Sequence, residues 1–251
     1  IKKINIQSLI HILKSKRTNK QYIWTERDYQ TNIINFSKNE LLSQNKLYIE
    51  LPTGGGKSYI VYKLFEYLKS EFIIIVSPRK IVNSQNISQK YLQILKDNYI
   101  TFNYSTDNNF DEYLRLSNKK IVICCTQSIS KIYESILSNE IINITIWFDE
   151  AHWGIEEWID NLKDDKISQF WLLNDRHIKY RIFTSASPNK PNILQNENIF
   201  GLLYSPIKVK ELIDLNWLSK IKPYVYSENI KNVDNNEYKL FGDGISPFHK
   251  L

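Results

Sequence analysis

A repeated switch of hydrophobic period constrains this chain more than any other feature. Runs rich in β-branched and aromatic residues, 46–51, 72–77, 120–125, 144–149 and 178–184, read as strands. Between them the apolar residues fall at helical spacing, predicting helices over 57–69, about 80–96, 128–138 and near 155–175. Continuous apolar strands separated by helices predict βαβ units. The fold class is therefore α/β, a mostly parallel central sheet with helices on both faces, three layers in all. Sheets of this kind bind ligands beyond the carboxyl ends of their strands. Upstream, Ile6, Leu9, Ile10 and Leu13 share one helical face, predicting a helical extension over 1–20, and a further helix is expected from Glu26 to about Ser43. The stretch 107–118 reads as irregular, and the pattern loosens after Pro188. A last helix is expected around 207–218, with a polar linker over 227–251.

Two strand ends carry chemistry. Leu51-Pro-Thr53-Gly-Gly-Gly-Lys-Ser58 joins the first strand to the helix after it. Gly54, Gly55 and Gly56 admit backbone dihedrals that a Cβ forbids, so N–H groups can turn inward on a phosphate. Lys57 can reach the outer phosphates, and the Ser58 hydroxyl can complete a Mg²⁺ shell. A glycine turn that only opens a helix is the plainer alternative. Three glycines directly before Lys-Ser, between strand and helix, argue against it. Further on, Asp149-Glu150-Ala-His152 ends another strand. Adjacent carboxylates repel and need a cation or donors. Beside a phosphate loop, Asp149 suits Mg²⁺ and Glu150 suits a base that takes a proton from water. Taken alone, Asp149 capping a helix and a structural His152 would explain the same residues.

Composition excludes several other classes. At 251 residues, 42% hydrophobic and 24% charged, the chain can bury a sizeable core and reads as an ordinary globular protein. Its apolar runs fall well short of the roughly 20 residues that cross a bilayer, so no membrane partner is expected. The two cysteines, Cys124 and Cys125, are adjacent, which leaves no disulfide framework, and the four histidines show no zinc-ligand spacing with them. An intracellular location is expected. The net charge of +6 is compatible with a nucleic-acid partner without requiring one.

In their order along the chain these motifs resemble those of superfamily 2 helicases and translocases of the DEAH-box type, over roughly residues 24–226. The resemblance implies a RecA-like P-loop NTPase lobe over 21–226, with ATP and Mg²⁺ as cofactors and the backbone of DNA or RNA as partner. Residues 51–58 are similar to motif I, with Leu51 where the P-loop pattern has Gly or Ala, and Asp149–His152 to motif II. That assigns Lys57, Asp149, Glu150 and His152 to catalysis, and Ser58 and Asp149 to the metal. Thr53, Gly54, Gly55, Gly56, Lys57 and Ser58 would hold the nucleotide. The element Thr25-Glu-Arg27-Asp-Tyr-Gln30 resembles the one in which a glutamine reads adenine, so Arg27 and Gln30 join the nucleotide set. Pro78, Arg79 and Lys80 resemble motif Ia, and Thr126, Gln127 and Ser128 a second backbone-contacting segment. Ser185, Ala186 and Ser187 resemble motif III, which couples ATP state to strand grip. Solvated helix starts and helix caps are the plainer readings of Arg79, Lys80, Thr126 and Ser128.

The same resemblance implies a second RecA-like lobe that supplies an arginine finger, in this or another chain. No Gln-x-x-Gly-Arg-x-x-Arg element follows Ser187. The expectation is an ATP-binding motor lobe that drives unwinding or translocation and hydrolyses ATP slowly by itself. A duplex translocase of a restriction or remodelling complex, and a non-enzymatic ATP-gated nucleic-acid-binding module, are the alternatives.

Overall fold

A computed structural model of the chain describes residues 22–160 and 162–220. Its strands are β1 (Lys46–Glu50), β2 (Phe72–Ser77), β3 (Tyr99–Asn103), β4 (Lys119–Cys125), β5 (Ile144–Asp149), β6 (Ile178–Ser185) and β7 (Leu202–Tyr204). They form one seven-stranded sheet in the spatial order β3-β4-β2-β5-β6-β1-β7, and every pairing is parallel. The helices are α1 (Asp28–Gln44), α2 (Lys57–Leu68), α3 (Lys80–Asn86), α4 (Gln89–Leu92), α5 (Phe110–Leu114) and α6 (Ile129–Ser138). They continue with α7 (Ile155–Asp160), α8 (Lys166–Leu173), α9 (Lys190–Gln195), α10 (Glu197–Phe200) and α11 (Val209–Asp214). The expected α/β class with a parallel central sheet is the observed one.

The continuous apolar strands are continuous because both faces of the sheet are covered. All six residues of β2 are buried, and its side chains alternate between two cores. Ile73 and Ile75 pack with Ile33 and Leu41 of α1 and Ile60 and Phe65 of α2. Ile74 and Val76 pack with Ile132 and Ile136 of α6 and Trp171 of α8. A fully buried Ile, Leu or Phe contributes about 1.5–3 kcal/mol, and a one-residue slip of β2 would send each side chain into the opposite core, into space shaped for a different set. Helix α6 shows the matching pattern, with Ile129, Ile132 and Ile136 as its buried stripe.

Several expected elements came out differently. The helix expected over 80–96 is two short ones, α3 and α4, broken at Ile87 and Ser88. The break follows Asn83-Ser-Gln-Asn86, which contains two asparagines, poor helix formers whose amides are drawn into the interior. The helical segment near 155–175 is α7 and α8, with Asp165 capping α8 through Ile167 N (3.1 Å) and Ser168 N (3.0 Å). The stretch 107–118 contains α5. Strand β3 precedes it, and α9, α10 and β7 follow Pro188, where no regular element was expected.

The chain separates into two compact units, Ile1–Lys208 and Val209–Leu251. In the second, α11 is followed by Trp217, whose N–H donates to the Leu212 carbonyl at 2.8 Å. The helical extension expected over 1–20, the end of the lobe at 226 and the linker over 227–251 lie outside the described residues. Among those described, no helix is long and apolar enough to cross a membrane.

Candidate functional site

Strand β6 lies between β1 and β5, and the motifs meet around its carboxyl end. Thr184 stands opposite Ile49 on one side and Asp149 on the other. The last two carbonyls of β6 hold the flanking loops. Ser185 O accepts from Leu51 N, and Thr184 O accepts from Ala151 N, both at 2.9 Å. The glycine loop and the carboxylate loop are thus secured to consecutive peptide units of one strand.

The glycine loop opens with a turn in which Gly55 N donates to Pro52 O at 2.9 Å. Gly54 and Gly56 have φ of +82° and +88°, conformations that the sequence reading required of glycine here. Gly56 is also the residue from which α2 starts. Thr53 and Gly54 are exposed, whereas Leu51 and Gly55 are buried. A Cβ on Gly56 would collide with the Gln30 side-chain amide. The adenine-reading candidate therefore sits directly against the loop, and its Oε1 accepts from Arg27 N at 3.1 Å. Arg27 Nη1 donates to the Tyr29 hydroxyl (3.0 Å), which donates to Gly55 O (3.0 Å). Trp24 stacks on Tyr91, with ring centroids 5.6 Å apart, and packs against Tyr59, so its ring is a packing element.

Across from the loop, Glu150 adopts φ +50°, a left-handed conformation that costs a non-glycine residue about 1–3 kcal/mol. That turn aims its carboxylate at Lys57, and Lys57 Nζ with Glu150 Oε1 forms a tight ion pair. The other oxygen, Oε2, lies 3.5 Å from His152 Nδ1, which in turn is 2.7 Å from Ser185 Oγ. Ser187 N donates to that hydroxyl at 2.9 Å. Lys57, Glu150, His152, Ser185 and Ser187 thus form an unbroken polar chain from the first motif to the third. Ala186 is half-buried and Ser187 exposed.

Asp149 is 9% exposed. Burial pushes its carboxyl above the usual range, and the charge of Glu150 adds to that. The Lys57 charge and donors on Asn86 and Thr184 offset part of the rise. Thr184 Oγ1 lies 3.3 Å from Asp149 Oδ1 and accepts the indole N–H of Trp147 at 2.9 Å. Ser58 Oγ and Asp149 Oδ2 are bridged by the Asn86 side chain, at 3.5 Å and 3.4 Å. Sequence reasoning missed Asn86 and Trp147. The Trp147 indole gave no signal because any strand core tolerates tryptophan. Among the described residues no group of three or more His, Cys, Asp or Glu could hold a metal by itself.

Ser77 and Cys125 stand opposite each other at the ends of β2 and β4, so the segments that follow them are neighbours. Arg79, Lys80 and Gln127 are exposed, and Pro78, Thr126 and Ser128 half-buried. A small cleft beside them, of about 10 Å³, is lined by Val76, Thr126, Phe148, Asp149, Trp153 and Trp158.

Parallel topology, a glycine loop after β1 and a carboxylate pair after β5 define a RecA-like lobe of the P-loop class, of the kind found in superfamily 2 helicases. Residues 23–180 match the family described as Type III restriction enzyme, res subunit, and the chain belongs to that family. By sequence it matches none of the curated proteins. Its fold is similar to that of a nuclease-deletion mutant of the Type ISP restriction-modification enzyme LlaGI in complex with a DNA substrate mimic. That match has a TM-score of 0.60 at 15% identity and covers 77% of this chain and 21% of that one. It is similar also to the UvsW helicase from bacteriophage T4, with a TM-score of 0.54 at 17% identity, covering 82% and 69%. The chain thus spans about a fifth of the restriction enzyme's length, and these likenesses concern the fold.

Proposed function

We propose that this chain is the ATP-binding lobe of a DEAH-type nucleic-acid motor, in which ATP hydrolysis drives translocation or strand separation. The observation that carries the reading is the convergence of Lys57, Ser58, Asp149 and Glu150 on the carboxyl ends of β1 and β5, on either side of β6. Before nucleotide arrives, Glu150 occupies the Lys57 ammonium. With nucleotide bound, Lys57 would turn from Glu150 to the outer phosphates, and the freed Glu150 carboxylate would accept the proton of the attacking water.

The residues fit a cation. A serine hydroxyl and one buried carboxylate are hard oxygen donors, and Mg²⁺ is ordinarily held by one or two protein groups plus substrate phosphates. Ser58 and Asp149 would hold it, and when bound it supplies neutralisation of phosphate charge. Gln30, together with Arg27, would select adenine. His152, Ser185, Ala186 and Ser187 would carry the state of Glu150 to the strand-gripping segments. Pro78, Arg79, Lys80, Thr126, Gln127 and Ser128 would grip the phosphate backbone without reading sequence. A second RecA-like lobe would close the cleft and bring the arginine finger, worth on the order of 10³ in rate or more.

Membership in a restriction-subunit family favours duplex translocation as the form of movement. The DNA complex of LlaGI supports DNA as the track, while the helicase UvsW keeps strand separation in view. In the full-length protein, DNA should stimulate ATP hydrolysis, and Lys57→Ala or Glu150→Gln should abolish it. Glu150→Gln should still bind nucleotide. Stimulated hydrolysis that survives Glu150→Gln would exclude Glu150 as the base. Displacement of a triplex-forming strand without release of duplex strands would identify translocation.

A further inference from the structure

Asn86 ends α3, three residues after Asn83, and both amides are buried, at 2% and 0% exposure. Asn83 serves the fold. It takes a hydrogen bond from Ser77 Oγ and donates toward Ser105 Oγ (3.4 Å) and Cys125 Sγ (3.8 Å), holding α3 on the ends of β2 and β4. Asn86 points elsewhere. Its Nδ2 lies 3.4 Å from Asp149 Oδ2, its Oδ1 3.5 Å from Ser58 Oγ, and its backbone carbonyl accepts the Tyr62 hydroxyl.

Which end of the amide faces which partner follows from chemistry. An ionised carboxylate only accepts, so the NH₂ must face Asp149, which turns the carbonyl oxygen toward Ser58. Facing an acceptor, the Ser58 hydroxyl must donate, and its lone pairs are left for something else. A cation is what lone pairs on Ser58 and a carboxylate on Asp149 have in common. Both contacts are at the long end of hydrogen bonding, so the amide orients its partners without locking them.

We propose that Asn86 is a positioning residue for the cation site. It turns the Ser58 lone pairs and the Asp149 carboxylate toward a shared Mg²⁺ before nucleotide arrives. It also ties that geometry to the helix beginning at Arg79 and Lys80. The inference rests on the nucleotide reading above and adds a residue to it. An isosteric apolar side chain would leave the Ser58 hydroxyl free to rotate and remove one donor from Asp149. Partners that orient metal ligands from outside typically account for about 10–100-fold in metal affinity.

The test uses the full-length protein and a fluorescent ADP analogue titrated at varied Mg²⁺ and in chelator. In Asn86→Leu, and more mildly in Asn86→Ser, the Mg²⁺ concentration for half-maximal binding should rise about 10-fold, with metal-free binding unchanged. Asn83→Leu removes a buried amide from the same helix and should lower thermal stability without moving that concentration. An unchanged Mg²⁺ requirement in either folded Asn86 variant, or an equal shift in Asn83→Leu, overturns the proposal. Wild-type binding that ignores Mg²⁺, or that survives Lys57→Ala intact, overturns the nucleotide reading and the proposal with it. Those results are distinct from failure of the Asn86 variants alone.

Discussion

Replacing Gly56 by alanine tests how the glycine loop and the Gln30 element are fitted together. Gly56 has φ +88°, and a left-handed conformation costs an L-residue about 1–2 kcal/mol. The new Cβ also displaces the Gln30 amide, which gives up its hydrogen bond from Arg27 N, worth about 1 kcal/mol. Gly56→Ala should therefore lose about 2–3 kcal/mol, and Gln30→Ala about 1 kcal/mol. In the double variant no amide remains to be displaced. The combined loss should stay near 2–3 kcal/mol and fall short of the additive sum by about 1 kcal/mol. Urea unfolding of the nucleotide-free protein measures all three. Strict additivity would show that Gln30 does not lie against Gly56, and an unperturbed Gly56→Ala would remove the left-handed conformation as well.

Other sites give independent outcomes. Gly201 has φ +70° and a Cβ there would meet the Lys46 backbone carbonyl, which cannot swing aside. Gly201→Ala should lower the urea midpoint more than Gly56→Ala does. Trp147→Phe removes the indole donor to buried Thr184 and should cost about 1–2 kcal/mol in the same assay. Burial raises the Glu50 carboxyl, but hydrogen bonds from Lys190 and Ser205 and the charges of Lys190 and Lys208 outweigh it. The net value lies below the ordinary 4.5. A lowered carboxylate stabilises the fold above its unfolded value, and that contribution disappears as pH falls through the folded value. Wild type should therefore exceed Glu50→Gln in stability at pH 7, by under about 1 kcal/mol because Lys190 is exposed. The two unfolding curves should converge below pH 4.5 as Glu50 protonates.

The sheet was legible because a strand covered on both faces has no polar alternation to blur it. Phe72–Ser77 and Ile144–Asp149 match their expected spans for that reason. Strand β3 was not, since it is a half-buried edge whose Tyr-Ile-Thr-Phe-Asn merges into a polar turn. Glycine and carboxylate motifs announce themselves by residue type. Asn83 and Asn86 do not, because an asparagine in a helical run reads as a wet surface position until its neighbours are known. Nor could the clamp on the two loops be read, as it consists of backbone carbonyls that every residue carries.

That clamp limits how the site can move. Two loops hinged to separate strands could drift independently, and the gap between a lysine and a glutamate would then fluctuate along two coordinates. Here Leu51 and Ala151 hang from consecutive peptide units of β6, so the two lips share one origin. Ser187, whose amide reaches Ser185, touches the strand end from which both lips hang. The width of the mouth is therefore tied to one strand end, and whatever displaces that end acts on both lips.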